Sequence, residues 1–311
     1  MQHPKDNMNN PYKKSDSPKM LTSFVCYADI LGYSHLSREA IKSGNGLQFL
    51  HRLRHALSNA YERIREHSKG LGDDSFYAIK VFTDNIIVGY PLYKPIDDYG
   101  EPEFADILSI FSEFQVGLAM EGFFLRGGIA FGKHYMDDDI VFGDALLQAV
   151  DQDKGGGAPR ISLTPSAIEI VRHQLGFYGE TSWAPQHEDL LQDADGTIFL
   201  NYLGEAFWAY PDGGIFFELI EGHQSNIMKG LKDYKGNAGV RAKFEWAARY
   251  HNFICQEFAE RNPISINPDA DEIYAAATEE AQKLIDYRID IESLAATPRR
   301  MNLTPLKLRR K

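Results

Sequence analysis

The sequence predicts an α+β fold, in which a ferredoxin-like antiparallel sheet with helices is followed by a C-terminal helical extension. Two observations predict it. Strand-like segments and segments with helical apolar spacing follow one another in the order β-α-β-β-α-β over the first half of the chain. After about residue 204 helical periodicity predominates. We therefore expect a sheet domain with helices on one face and a helical region docked on it.

The first strands and helix are predicted from residue type and spacing. Residues 21–30 are rich in β-branched and aromatic residues, which is typical of a buried strand. Residues 47–67 carry apolar side chains at three- and four-residue spacing and predict a helix. Residues 76–82 and 86–92 are two strand-like runs around Thr-Asp-Asn. Because Asp and Asn tolerate tight-turn geometry, the runs predict a hairpin with Asp84 at its tip.

The remaining sheet elements follow from the same patterns. Residues 104–120 have helical periodicity, and 123–131 predict a strand whose central Gly-Gly pair lets another group approach the backbone closely. A helix over 143–153 is followed by a short strand over 160–163. Three further helices are predicted in the second half of the chain, at 215–234, 238–261 and 279–294.

These patterns divide the chain into four segments. The first is expected to be a disordered arm, because its polar composition offers almost nothing to bury, and the last is expected to be a solvated basic tail. The segments are the arm at 1–20, a catalytic domain at 21–204, a helical extension at 205–298 and the tail at 299–311.

Composition narrows the function classes. The chain has 311 residues with 33 basic and 44 acidic side chains, for a formal net charge of −11, which disfavours a nucleic-acid partner. Cys26 and Cys255 are far apart and have no metal-ligand spacing, so we expect two free thiols in a reducing compartment. The sequence has neither a long apolar run nor a secretory signal pattern. We expect a cytoplasmic protein without a membrane partner.

Asp29 and Asp84 are the candidate catalytic residues. Each lies where an otherwise apolar strand meets a turn, and the two strands are neighbours in a ferredoxin-like sheet, so both carboxylates can point into one crevice. Mg²⁺ and Mn²⁺ take oxygen ligands and bridge to substrate phosphates. The alternative is that Asp84 is only a turn residue and Asp29 a helix cap, and spacing alone leaves both interpretations open.

The turn after Asp29 adds a second indication. Gly32 lies between this carboxylate and a helix start, where backbone N–H groups can face phosphate oxygens with help from the helix N-terminus. Gly32, Tyr33 and Ser34 are therefore candidate substrate-binding residues.

Four short segments, taken in order, resemble the motifs of class III nucleotide cyclases. Residues 24–34 (FVCYADILGYS) resemble the strand ending in Asp-Ile-x-Gly-Phe-Thr/Ser, which is the first metal-binding motif of that family. Residues 80–84 (KVFTD) are similar to its Lys-x-x-Gly-Asp motif, with Thr83 in place of the Gly. Residues 126–132 (RGGIAFG) resemble the strand that follows, and residues 142–145 (FGDA) resemble the start of its dimer-interface helix.

The resemblance implies a site and its partners. Asp29, Asp84 and the backbone carbonyl of Ile30 would bind two Mn²⁺ or Mg²⁺ ions per active site, at the interface of a homodimer. Lys80 falls at the position where adenylate cyclases keep a base-reading lysine. The alternative for Lys80 is an edge-strand lysine that reaches solvent.

The chain also departs from the family pattern. Leu147 and Asp151 stand where an Asn and an Arg of the partner subunit usually steady the transition state, and Ile140 stands where an Asp commonly reads adenine. Neither Leu147 nor Asp151 can donate to a phosphate. Arg126 is a candidate compensating cation, because Arg makes planar, bidentate contacts. Its alternative role is a structural ion pair on the sheet.

These departures, together with residues 126–128 and 158–161 (APRI), resemble a divergent bacterial branch, the pyrimidine cyclases of Pycsar antiphage systems. The resemblance implies that UTP is converted to 3′,5′-cyclic UMP, which activates a separate effector protein. Cytidylate cyclase activity is one alternative. A degenerate cyclase domain that binds nucleotide as a sensor is the other.

Overall fold

The computed structural model describes residues 10–13, 17–69, 77–92, 99–154, 157–178, 184–210, 213–262, 272–291 and 297–306. Its helices are α1 (Tyr33–Lys42), α2 (Gly46–Lys69), α3 (Glu101–Met120), α4 (Asp144–Asp153), α5 (Pro165–Leu175), α6 (Gln186–Asp189), α7 (Phe217–Asp233), α8 (Ala238–Arg261) and α9 (Glu272–Lys283). No helix within these ranges is long and apolar enough to span a bilayer.

The strands are β1 (Leu21–Ile30), β2 (Ala78–Phe82), β3 (Asn85–Pro91), β4 (Leu125–Met136), β5 (Val141–Gly143), β6 (Ile161–Leu163), β7 (Leu190–Gln192), β8 (Ile198–Leu200) and β9 (Arg299–Arg300). They form one sheet in the order β2-β3-β1-β4-β6-β8-β7-β9, with β5 paired to β4. Every pairing is antiparallel except that of β4 with β6. The predicted α+β class with a mostly antiparallel sheet is confirmed.

The predicted segments agree with observed elements within a few residues, with α9 as the main exception, whereas α5, α6, β7 and β8 were not predicted. The periodicity predicted a helix at 279–294, whereas α9 ends at Lys283 and continues as a 3₁₀ turn over Leu284–Tyr287. Tertiary contacts explain this end. The Tyr287 carbonyl accepts from Gln224 Nε2 at 2.6 Å and contacts His251 Nε2 at 2.9 Å, so it is bound to other helices.

The sheet is covered on both faces, which corrects the prediction of helices on one face only. Phe24 and Cys26 alternate with Val25 along β1. Phe24 and Cys26 lie in the large core beneath α2 and α3. Val25 points the other way and packs against Ala145 and Ala149 of α4. The chain therefore buries β1 from two sides, and α4 shares its face with the odd-numbered residues of β1.

The predicted close approach at the Gly-Gly pair is made by α4. A Cβ at Gly128 would lie 2.5 Å from the Ala149 carbonyl oxygen and 2.8 Å from Gln152 Cβ. A Cβ at Gly127 would lie 2.0 Å from the Tyr27 carbonyl oxygen. Both glycines are therefore required by packing, and Gly128 sets how closely α4 approaches the sheet.

A second apolar core joins the extension to the sheet domain. Trp246 and Tyr250 of α8 pack on Phe199 of β8, with ring centroids 5.3 and 5.9 Å apart. Trp246 Nε1 also donates to Asp193 at 2.7 Å. This core contains residues from both sides of the boundary predicted near residue 204.

Both chain ends depart from the predictions made for them. Tyr12 is only 2% exposed, and its hydroxyl donates to Ser23 at 2.9 Å, although residues 1–20 were expected to bury almost nothing. Residues 1–9 and 14–16 lie outside the described residues. At the other end, residues 299–306 correct the expectation of a solvated tail: Arg300 in β9 forms a salt bridge with Glu257 at 2.6 Å, and Met301 is buried. Arg300 is bound and not solvated because the Glu257 carboxylate compensates its charge. Residues 307–311 lie outside the described residues.

We predict that Gly128→Ala lowers the free energy of unfolding by about 2 kcal/mol, because its methyl group must displace α4. Gly117→Ala is the matched control. Gly117 lies in α3 with nothing within 4 Å of an added Cβ, so this change is expected to be neutral or stabilising by up to about 1 kcal/mol. Urea denaturation of both variants tests the prediction. Equal stability of Gly128→Ala and the wild type would contradict it.

Candidate active site

Asp29 lies at the centre of a row of side chains that crosses the end of the sheet. It is paired with Asn85 of β3 on one side and with Arg126 of β4 on the other. The carboxylate is only 13% exposed. Side chains alternate between the two faces along β1, so Asp29 lies on the same face as Val25 and Tyr27. This is the face that α4 covers. The site is therefore built on three adjacent strands.

Arg126 binds Asp29 and also reaches α4. Its Nε and Nη2 donate to the same oxygen, Asp29 Oδ2, at 3.1 and 2.9 Å. Its Nε lies 3.2 Å from Oδ1 of Asp153, the last residue of α4. Arg126 therefore forms the ion pair on the sheet that was its alternative role. Neither bond uses Asp29 Oδ1.

Asp84 is fastened to the end of β1. Its carbonyl oxygen accepts from the Ile30 backbone N–H at 3.2 Å, and its carboxylate lies close enough to that of Asp29 to disfavour the ionised form of Asp29. The pKa of Asp29 is raised to about 6, chiefly by burial and also by the Asp84 carboxylate, while Arg126 acts in the opposite direction. The structure therefore brings the two predicted carboxylates together at a point where their negative charge is incompletely compensated.

The turn that presents Asp84 has a strained backbone. Thr83 has φ of 58°, in the left-handed region that β-branched residues avoid. This is the position at which the family motif described above has glycine. The Thr83 hydroxyl is 2.6 Å from the Phe82 carbonyl and 2.7 Å from Asp84 Oδ1. The hydroxyl thus links the strained residue directly to the candidate ligand.

The Gly32 turn has the conformation that the sequence indicated. Gly32 has φ of 74° and precedes α1, and no side chain caps the helix. The Tyr33 ring packs 6.2 Å from Phe49 on the large core, while Ser34 is exposed. The first N–H groups of a helix have no partner within it. Any phosphate contact of Tyr33 would therefore involve its backbone.

Lys80 is held by the loop between β4 and β5. It lies on the edge strand β2, and its Nζ donates to the carbonyl oxygen of Asp138 at 2.9 Å. Lys80 therefore does not extend freely into solvent, as the alternative interpretation of this residue expected. The base-reading role remains a prediction.

The structure adds site residues that sequence reasoning missed. The Tyr27 hydroxyl donates to Asn85 Oδ1, and burial together with the nearby carboxylates raises the pKa of Tyr27 to about 12. Strand alternation could have indicated Tyr27, which precedes Asp29 by two positions. Two further residues reach the site only through tertiary packing. Asp153 contacts Arg126, and Lys243 of α8 interacts electrostatically with Asp29.

The two positions where the family pattern has Asn and Arg face outward from α4. Leu147 is 64% exposed, and Asp151 forms an exposed salt bridge with Lys154 at 2.5 Å. Neither reaches the crevice of its own chain. Three other exposed apolar side chains lie on β2, β5 and the loop before β5, namely Phe82, Phe142 and Ile140.

The donor set is compatible with divalent cations that share their ligands with a substrate. Among the described residues no cluster of three or more His, Cys, Asp or Glu side chains could hold a metal ion. The Asp29–Asp84 pair supplies two carboxylates, and Mg²⁺ in nucleotide sites is commonly held by one or two carboxylates plus substrate phosphates. The pair therefore fits a metal that binds together with a phosphorylated ligand.

No protein-family model matches this chain, and the comparison with curated proteins finds none that is similar to it. The site must be judged on its own geometry.

We predict that Thr83→Gly is more stable than Thr83→Ala by about 1 kcal/mol, because both variants lose the hydroxyl but only glycine relieves the positive φ. Thermal and urea denaturation of the two proteins gives the difference directly. If alanine is as stable as glycine at this position, the turn is not strained as described.

Proposed function

We propose that this protein is a nucleotide cyclase that converts UTP to 3′,5′-cyclic UMP and pyrophosphate, acting as a second-messenger synthase in antiphage defence of the Pycsar type. The observation that carries the proposal is the hydrogen bond from the Ile30 N–H to the Asp84 carbonyl oxygen, which holds the Asp84 turn at the end of β1, where the Asp84 carboxylate interacts electrostatically with that of Asp29. The order β2-β3-β1-β4 supports it, because a ferredoxin-like sheet has this order.

In the proposed reaction the 3′-oxygen of the substrate ribose attacks the α-phosphorus, and the bond to the oxygen that bridges to the β-phosphate breaks. Two Mn²⁺ or Mg²⁺ ions, when bound, would supply a lowered pKa for the attacking hydroxyl and neutralise the departing pyrophosphate. Asp29 and Asp84 would hold the ions with the Ile30 carbonyl. Arg126 orients Asp29 through Oδ2 and forms no hydrogen bond with Oδ1, which would be available to an ion.

Lys80 and the loop over 137–139 would form the wall beside the base. Lys80 already contacts two carbonyl oxygens of this loop, at 2.9 and 3.5 Å. Nothing in these contacts separates uracil from cytosine, so CTP is the alternative substrate. The product would activate a separate effector protein.

A homodimer is part of the proposal. Phe82, Ile140, Phe142 and Leu147 are large apolar side chains, each more than half exposed, on the β2 end and the β5–α4 segment. Exposed apolar surface of this kind commonly marks an association surface. A second copy of the chain would cover it and close the crevice.

A degenerate cyclase that binds nucleotide without turnover is the second candidate. The Arg126–Asp29 ion pair favours it, since a cation already compensates one of the two carboxylates. It differs from the leading proposal in one measurable respect: nucleotide would bind, and no pyrophosphate would be released.

We predict that the purified protein with Mn²⁺ releases pyrophosphate chiefly from UTP. Asp84→Ala is expected to reduce the rate by at least about 100-fold, because it removes transition-state charge stabilisation worth several kcal/mol. Asp290→Ala, at an exposed carboxylate of the extension, is the control and should retain the wild-type rate. Silence with all four nucleoside triphosphates would refute the enzyme proposal, whereas preference for CTP would change only the substrate.

We predict that Leu147→Lys converts the dimer to a monomer and lowers cyclase activity, because it places a charge in the covered apolar surface. Met228→Lys, at an exposed apolar residue of α7, is the matched control and should stay dimeric. Light scattering after size exclusion measures the mass. A wild-type protein that is monomeric at assay concentration would exclude this part of the proposal.

A further inference from the structure

A cavity of about 160 Å³ lies between the Gly32 turn and the helical extension. Leu31 and Gly32 of the turn form one wall, and side chains of α7 and α8 form the opposite wall. Asp29 itself does not line the cavity, but the lining residue Lys243 interacts electrostatically with Asp29, so the cavity lies near the proposed catalytic carboxylates. One water needs about 15 Å³ on this measure, so the cavity has room for a diphosphate group.

The cavity is lined by more positive than negative side chains in a chain of net charge −11. Arg52, Lys229 and Lys243 are its cations, and Glu121 and Asp233 are its carboxylates. His35 also lines it. Such a lining suits an anion of several charges better than a neutral ligand.

Two of these cations, Lys229 and Lys243, come from the helical extension. Across the part of the chain that the structure describes, neither Lys229 nor Lys243 forms a hydrogen bond or salt bridge. Lys243 is partly buried and interacts electrostatically with Arg126, Asp153 and Asp29, so it lies within the field of the catalytic row. A buried amine of this kind is stabilised when an anion binds.

The helix crossing fixes where these lysines stand. A Cβ at Gly230 of α7 would lie 2.2 Å from Phe244 of α8, so the absence of a side chain lets the two helices meet. The Phe244 ring in turn packs edge-on against Phe124 of the sheet domain, with centroids 5.5 Å apart. Lys229 and Lys243 are the neighbours of Gly230 and Phe244 in sequence. The extension therefore presents both amines from a rigid contact.

We infer that this cavity binds the β- and γ-phosphates of the nucleoside triphosphate, and that Lys243 and Lys229 of the helical extension are the cations that hold them. The inference deepens the proposed function and rests on it for the placement of the α-phosphate at Asp29 and Asp84. It assigns the extension a task in substrate binding, performed within one chain. Leu147 and Asp151 cannot donate to a phosphate. In the inferred arrangement, Lys229 of α7 and Lys243 of α8 supply phosphate-binding groups instead.

The test uses inorganic tripolyphosphate, which has neither base nor ribose, and isothermal titration calorimetry in Mg²⁺. We expect the full-length protein to bind it and Lys243→Gln to weaken binding by about tenfold or more, the loss typical of one charge-assisted contact. Lys243→Arg should restore binding, which a merely structural role would not require. Lys232→Gln is the matched control, because Lys232 is exposed on α7 and does not line the cavity.

Failure of wild-type protein to bind tripolyphosphate, or equal binding by Lys243→Gln, would overturn the inference. The same variants are then titrated with 3′-deoxy-UTP, which cannot cyclise. Loss of its binding in Lys243→Gln but not in Lys232→Gln supports the inference even if no nucleoside triphosphate is turned over, in which case only the cyclase proposal fails. Pyrophosphate release from UTP at an unchanged KM in Lys243→Gln would leave the cyclase proposal standing and refute the role of the cavity.

Discussion

The ion pair between Arg126 and Asp29 is the interaction on which the site depends. A carboxylate that is 13% exposed beside a second carboxylate requires a nearby cation, because burial and like charge both disfavour its ionised form. Arg126 provides that cation from the adjacent strand and is itself balanced by Asp153. The arrangement couples β1, β4 and α4 in one place. It also leaves Asp84 uncompensated, which is where a divalent metal would act.

Close packing makes this electrostatic arrangement possible. Asp153 reaches Arg126 only because α4 lies directly on the sheet, and α4 can do so because Gly128 has no side chain. Arg126 and Gly128, the glycine that allows the helix to approach, lie two residues apart on β4. A substitution at Gly128 that displaces α4 would therefore also displace the Asp153 carboxylate from Arg126.

The helical extension is part of the same unit. Its aromatic residues share a core with β7 and β8, and Arg300 ties the chain end to α8 through Glu257. This packing places Lys243 close enough to Arg126, Asp153 and Asp29 to interact with them electrostatically. In the proposed function, the substrate phosphates would be bound by the C-terminal helices of the same chain.

The sequence by itself determined many of the local elements and indicated the two carboxylates, Asp29 and Asp84, that lie together in the structure. The strand Leu21–Ile30, the hairpin around Asp84 and the helix Ala238–Arg261 follow from residue type and periodicity, which are local properties. The paired carboxylates followed because strand order in such a sheet brings two strand ends together. The tertiary structure alone decided that α4 covers the second face, that Asp153 and Lys243 approach Asp29, and that Arg300 is bound instead of solvated. Those contacts join residues on different elements, such as Arg300 and Glu257, which are 43 positions apart. No periodicity within one segment encodes which charges will meet across a packed interface.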